Sequence, residues 1–336
     1  MKLACFLLLA PLIAFGAPTT DVAGLRKAAE ASAERHGVEV HFDQPYAGND
    51  NPMQCVDLYL PKQRKSDKPL PVIAYLHGGG WLAGHRIGGF AGLIRRVQDG
   101  EYAGVSIGYR LTGEASWPAQ IHDCKAAIRW IRGHAKQYHL DPDKIAIAGN
   151  SAGGHLASLL GTSGGVKELE GNLGEWTNES SRVTCVVDLC GPEDLTKPLM
   201  FDRLGHPIVK DLAVVGLLGG TYEEKHDEAV AASPLTWVSP DDPPFFIAQG
   251  TKDDRVAYAN SEALHAALQK AGVKSLLIPI TGGGHGSVSN TEVQRRVDQF
   301  VDMYLRGIPA EISTEPVPAD GPKNQESAKS QVTRAK

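Results

Sequence analysis

The sequence predicts one α/β domain, built on a mostly parallel eight-stranded sheet with helices on both faces and a small excursion from the sheet in the C-terminal half. Three observations lead there. Short apolar runs of strand length alternate with segments whose apolar residues recur at helix spacing. The first two strand-like segments instead alternate apolar and polar residues, the pattern of a half-buried antiparallel pair. The chain is 42% apolar and 22% charged with a net charge of −5, which excludes a disordered chain and gives no basic excess for nucleic acid.

At the N-terminus, residues 1–16 (MKLACFLLLAPLIAFG) place Lys2 before an apolar run and the small residues Ala14 and Gly16 before a cut at Ala17. This is the pattern of a secretory signal peptide, and the run is short of the roughly 18–20 apolar residues that span a bilayer. The protein is therefore expected to be secreted or periplasmic, with no membrane span. Next come VEVHF (38–42) and CVDLYL (55–60), the alternating pair. PVIAYL (71–76), YAGVSIGY (102–109), KIAIAG (144–149), VTCVVDL (183–189), PFFIAQG (244–250) and SLLIPI (275–280) are apolar runs suited to buried strands. Between them, Ile121, Cys124, Ala127, Ile128 and Ile131 share a helix face, as do Ala263, Leu264, Ala267 and Leu268, and Val293, Val297, Phe300, Val301 and Tyr304. The proline-rich stretch 192–243 carries only short helical pieces and reads as the excursion. Residues 309–336 hold few large apolar side chains and are expected to be disordered, leaving 17–308 as the domain. Cys55, Cys124, Cys185 and Cys190 read as buried thiols, with one bridge possible. Cys185 and Cys190, about 16 Å apart along a strand, lie beyond disulfide reach.

In such folds chemistry collects at the carboxyl ends of the strands. G-x-S-x-G occurs three times, around Ser106, Ser151 and Ser163. Ser106 lies inside a strand pattern, and Ser163 follows a helix. Only Ser151 stands between a buried strand and a helix-forming run, where flanking glycines permit the strained turn that exposes a nucleophile. A serine hydroxyl needs a general base, and the base needs an orienting acceptor. The strand SLLIPI ends in a glycine-flanked His285, and PFFIAQG ends in Asp253 and Asp254, of which Asp253 is preferred because it is nearer the strand end. His155 is expected to pack beneath the turn. PVIAYL ends in His77-Gly78-Gly79-Gly80-Trp81, a run suited to presenting backbone N–H groups to an oxyanion together with the N–H of Ala152. HExxH, paired CxxC, GxxxxGK[ST] and, after this strand, GxGxxG are absent, so no metal or cofactor is expected.

These segments resemble the α/β-hydrolase superfamily, and within it the esterases with an HGGG-type oxyanion motif. AYLHGGGWLAGHR (74–86), DKIAIAGNSAGGHLASLLGT (143–162), FFIAQGTKDDRV (245–256) and TGGGHG (281–286) are similar to the secreted bacterial BD-FAE-like group of feruloyl and acetyl xylan esterases. That group is related to the hormone-sensitive-lipase-like carboxylesterases. The resemblance implies an α/β-hydrolase fold and a Ser151–Asp253–His285 triad. It also implies oxyanion donors at Gly79, Gly80 and Ala152, with Trp81 serving instead in some members. The implied activity is carboxylic-ester hydrolysis through an acyl-enzyme, removing acetyl or feruloyl groups from plant or algal polysaccharide or from small esters. An amidase or peptidase of the same fold, kynurenine-formamidase-like or prolyl-oligopeptidase-like, is the alternative; an inactive binding protein would be expected to lack triad residues. The chain departs from the group in having Val256-Ala257 where a Val-Pro pair is frequent. Trp176, Met200, Phe201 and Trp237 are candidates for a substrate pocket, with plain packing the other reading.

Overall fold

A computed structural model describes residues 21–201, 204 and 206–319. The expected signal segment lies outside them. The described part opens with helix α1 (Val22–Arg35), capped by the Asp21 carboxylate on the Gly24 N–H, and strands β1 (Val38–Pro45), β2 (Cys55–Pro61) and β3 (Leu70–Leu76). Then come α2 (Phe90–Val97), β4 (Ala103–Ile107), α3 (Ala119–Gly133), the single turn α4 (Ala135–Tyr138) and β5 (Leu140–Asn150). Helix α5 (Ala152–Thr162) follows directly, then the turn α6 (Lys167–Glu170) and β6 (Cys185–Leu189). The excursion carries α7 (Leu212–Leu218) and α8 (His226–Ala232), and β7 (Phe245–Gly250), α9 (Ala259–Lys270), β8 (Ser275–Thr281), α10 (Thr291–Val301) and β9 (Val317–Pro318) complete the order.

The sheet runs β1-β2-β4-β3-β5-β6-β7-β8-β9. β2 pairs antiparallel with both neighbours, and every later pair is parallel. The alternating β1–β2 pair is thus where the sequence puts it, and the parallel strands are the buried apolar runs. Two cores result. On one face Leu156 and Leu160 of α5, Ile128 of α3 and Leu264 of α9 pack on Val72, Ile147 and Phe245. On the other, Leu93 of α2 and Val297 and Phe300 of α10 pack on Ile73, Val187 and Phe246. Each face is mostly apolar at the centre because a parallel strand is covered on both sides.

Nine strands stand where eight are expected. The ninth lies in the segment 309–319, which the sequence reading places in a disordered tail. This part of the tail is fixed by its backbone carbonyls together with a few apolar contacts, Val317 in the core and Ile312 and Ala319 packed against it. The buried guanidinium of Arg296 donates to the carbonyls of Ser313 (2.9 Å) and Glu315 (2.7 Å), and Val317, 1% exposed, pairs with Ile280. Residues 320–336 lie outside the described part. Among the described residues Cys55, Cys124, Cys185 and Cys190 are free and buried, so the bridge left open between them does not form.

Candidate active site

β5 delivers Ser151 into a turn with φ 54° and ψ −122°, a conformation costing about 1–3 kcal/mol. The turn is held by Ser151 N–H donating to Leu189 O (2.8 Å) and His155 N–H donating to Ser151 O (2.9 Å). Glycine is obligatory on both sides. A Cβ on Gly149 would stand 2.1 Å from Gly153 O, and one on Gly153 2.2 Å from Leu76 O. Neither of the other two G-x-S-x-G serines is at such a turn: Ser106 is fully buried in β4 and donates to Arg86 O, and Ser163 donates to Leu159 O (2.6 Å).

The ends of β7 and β8 bring the partners. His285 Nε2 lies 2.8 Å from Ser151 Oγ, and its Nδ1 lies 2.8 Å from Asp253 Oδ2. The expected triad therefore meets in one hydrogen-bonded line. Asp253 is held from both sides: Oδ1 accepts the N–H groups of Arg255 (2.9 Å) and Val256 (3.0 Å), and Oδ2 also accepts Gln249 Nε2 (3.2 Å). Burial raises its pKa, but the bond to His285 and those two N–H groups outweigh it and hold the carboxyl below the usual range. Asp254 is exposed and takes no part. The departing Ala257 has a use, since its N–H donates to Leu199 O (3.2 Å), a bond proline would abolish.

The loop after β3 passes through Gly79 (φ 125°), Gly80 (φ 59°) and Trp81 (φ 58°). Its carbonyls fold inward: Gly79 O accepts the N–H groups of Leu82 and Ala83 (both 3.1 Å). Among the described residues the N–H groups of Gly79, Gly80 and Trp81 have no backbone acceptor. These three and Ala152, the first residue of α5, line the same cavity of about 580 Å³ as Ser151 and His285. A helix N-terminus adds its own positive potential there.

His155 does pack beneath the turn, but it also joins three elements. Its Nε2–H donates to Ala232 O at the end of α8 (2.7 Å), and Nδ1 accepts the Trp81 indole N–H (3.2 Å). Burial lowers its pKa to about 4, so the ring stays neutral. His77 is likewise buried and lowered to about 4; Nδ1–H donates to Gly78 O (2.9 Å) and the ring stacks on Tyr109 at 4.3 Å. The sequence reading missed a carboxyl pair under the turn. Asp188 and Glu193 are fully buried; Asp188 Oδ1 accepts Gly191 N–H (2.9 Å) and Glu193 Oε1 accepts Ser158 Oγ–H (3.1 Å). Oδ2 and Oε2 meet no donor among the described residues, and burial raises both carboxyls, which favours one proton held between the pair. Burial raises Glu193 well above its usual pKa, and the Asp188 charge adds to it. Cys190, expected as a buried thiol, stands beside the triad, a place the sequence does not mark: its thiol points to His285 O (3.5 Å), and burial raises its pKa, keeping it protonated.

The sequence profile of BD-FAE matches residues 56–268, more than half of the chain. The chain belongs to the BD-FAE family. This BD-FAE chain is 31% identical to "Esterase LipQ" of Mycobacterium tuberculosis over 78% of its own length and 61% of that protein's. "Esterase LipC" of the same organism is 31% identical over 76% and 62%. The chain thus spans about three fifths of the length of these curated relatives. Among solved structures, a truncated carbohydrate esterase from gut microbiota superimposes with a TM-score of 0.73 at 30% identity, covering 80% of this chain and 96% of that one. A thermophilic esterase of the Planctomycetes species Thermogutta terrifontis gives 0.62 at 26% identity, with 79% and 92% covered. Of the four pocket candidates in the BD-FAE chain, Met200 lines the cavity. Trp176 packs on His134 and Gly133, Trp237 donates its indole N–H to Ala231 O (2.9 Å), and Phe201 is exposed.

Proposed function

We propose that the protein is a serine carboxylic-ester hydrolase working through an acyl-enzyme. The observation that carries this reading is the line Ser151 Oγ, His285 Nε2, His285 Nδ1, Asp253 Oδ2, with a 2.8 Å contact at each junction, opening into a cavity lined by the oxyanion loop. His285 Nε2 takes the Ser151 proton as Oγ attacks the ester carbonyl. Asp253 holds the ring with Nδ1–H toward the carboxylate, which leaves Nε2 as the base. The oxyanion is met by the N–H of Ala152 and those of the Gly79–Trp81 loop, each such donor stabilising it by roughly 3 kcal/mol. His285 then gives its proton to the departing alcohol, and water, activated by the same nitrogen, releases the acid.

The substrate proposed is an acetyl or feruloyl ester of plant or algal polysaccharide, or a small ester of that kind. Two things support it: the BD-FAE membership and the similarity to a carbohydrate esterase of gut microbiota. Export is proposed with it, on the pattern of residues 1–16; the mass of the mature protein would then lack them. The test is hydrolysis of p-nitrophenyl acetate, methyl ferulate and acetylated xylan by the wild type and by Ser151→Ala. Activity is expected to fall at least about a thousandfold in the variant, and a fluorophosphonate probe to label only the wild type. Retention of more than about a thousandth of the activity would show that another group is the nucleophile.

A further inference from the structure

The cavity is electrically two-sided. On the wall that holds His285 stand Val256 and the exposed Arg255, both lining the cavity. Its backbone N–H is spent on Asp253 Oδ1, but no acidic side chain pairs with its guanidinium among the described residues. The Asp253 carboxylate is buried and its oxygens are taken by His285, Gln249 and two N–H groups, so it makes no ion pair with this cation. Asp211 also lines the cavity, near the oxyanion loop. Its Oδ1 caps α7 on Ala213 N–H (2.8 Å), and Ala213 Cβ stands 3.2 Å from where a Cβ on Gly80 would be. His85, also lining the cavity, is lowered to about 4 by burial and by Arg86 beside it, and carries no charge at neutral pH.

Reaction direction gives these two sides different meanings. The leaving alcohol must depart next to the nitrogen that protonates it, so it occupies the His285 wall, where Arg255 is. The carbonyl oxygen of a bound ester would face the Gly79–Trp81 loop, near which Asp211 lines the cavity. We infer that Arg255 recognises an anionic group on the alcohol half of the substrate, and that the preferred esters are neutral acyl groups on a carboxylate-bearing alcohol such as a uronic acid unit. A planar guanidinium matches a carboxylate with two parallel N–H···O bonds. Asp211 disfavours the reverse arrangement, an anionic acyl group on a neutral alcohol. The inference rests on the esterase reading and names its substrate class.

A matched pair of soluble esters tests it: 3-acetoxybenzoate, whose alcohol half is anionic, and 3-acetoxybenzamide, which is nearly isosteric and neutral. The readout is the ratio of kcat/KM for the two within each protein, which cancels any general loss of activity. The wild type is expected to favour the anion by about five- to tenfold, chiefly through KM, because an exposed charge-assisted pair contributes on that scale. Arg255→Gln should bring the ratio to about one, Arg255→Lys should keep part of the preference, and Arg255→Glu should invert it. Half-molar salt should shrink the wild-type ratio. An equal ratio in wild type and Arg255→Gln would overturn the inference alone. Turnover of neither ester, with no fluorophosphonate labelling of Ser151, would overturn the esterase reading and the inference with it.

Discussion

Replacing Asp253 by Asn changes one atom, and the surroundings dictate which way the new amide must face. Oδ1 accepts the N–H groups of Arg255 and Val256, so an NH2 group there would oppose two donors. The amide oxygen therefore stays at Oδ1 and the NH2 turns toward His285 Nδ1. Gln249 cannot rotate to relieve this, since its Nε2 is fixed on Val256 O (2.5 Å) and its Oε1 accepts the Ser261 hydroxyl. Facing a donor, Nδ1 must become the acceptor, and the ring proton moves to Nε2, 2.8 Å from Ser151 Oγ. A protonated Nε2 cannot take the serine proton. The loss expected for a wrong tautomer is about 10⁴-fold in kcat, about 5 kcal/mol of barrier, with KM little changed. The assay is steady-state hydrolysis of p-nitrophenyl acetate, paired with nitrogen NMR of the histidine ring. An Asn variant that keeps a tenth of the activity, or whose Nε2 remains unprotonated at neutral pH, would refute the reasoning.

Other changes probe the supports of the site. Gly79→Ala places a Cβ 2.1 Å from Ala83 O at a φ of 125°, so kcat on p-nitrophenyl acetate should fall at least about a hundredfold and the thermal midpoint should drop with it. Trp81→Phe leaves the buried Nδ1 of His155 without its donor; urea titration should show a loss of about 1–3 kcal/mol, and kcat should fall as the oxyanion loop loosens. Glu193→Gln tests the shared proton. Glu193 keeps a proton in the folded protein that the unfolded chain releases above about pH 4.3, so wild-type stability falls as pH rises from there toward the folded pKa, by up to about 1.4 kcal/mol per pH unit. Glutamine needs no such uptake, and the variant should gain on the wild type between pH 5 and pH 8 in thermal melts; a pH-independent difference would show that Glu193 is ionised when folded.

The triad was legible because its parts sit at strand ends, and strand ends are marked in this chain by apolar runs stopping at glycine or aspartate. Buried runs such as KIAIAG and PFFIAQG name their own positions, and the order of serine, aspartate and histidine follows. The oxyanion loop was legible as a place but not as a particular N–H, since which amide faces the carbonyl depends on φ at Gly79, Gly80 and Trp81. Asp188 and Glu193 were illegible for a different reason. Their pairing joins β6 to the loop beyond it through one proton, and a sequence shows only two acids five residues apart. Trp176 and Trp237 illustrate the converse: an aromatic residue in the excursion carries the same signal whether it packs on a neighbouring turn or faces a ligand. Helix α1 has only Ala29 and Ala33 fully buried, too small an apolar stripe to announce it.

Strand β9 matters beyond its two residues. A sheet edge with unpaired N–H and C=O groups is a template for another chain. Here Val317 and Pro318 occupy the last stretch of β8, and Ala319 N–H closes on Thr281 O (3.2 Å), four residues before His285. Asn290 Nδ2–H holds Pro318 O (3.0 Å) from the far side of the histidine loop. Ending the chain at residue 308 would leave Ser151, Asp253 and His285 in the polypeptide but would uncover that edge at the catalytic end of the sheet. Such a shortened chain would be prone to strand-to-strand self-association next to its own histidine loop.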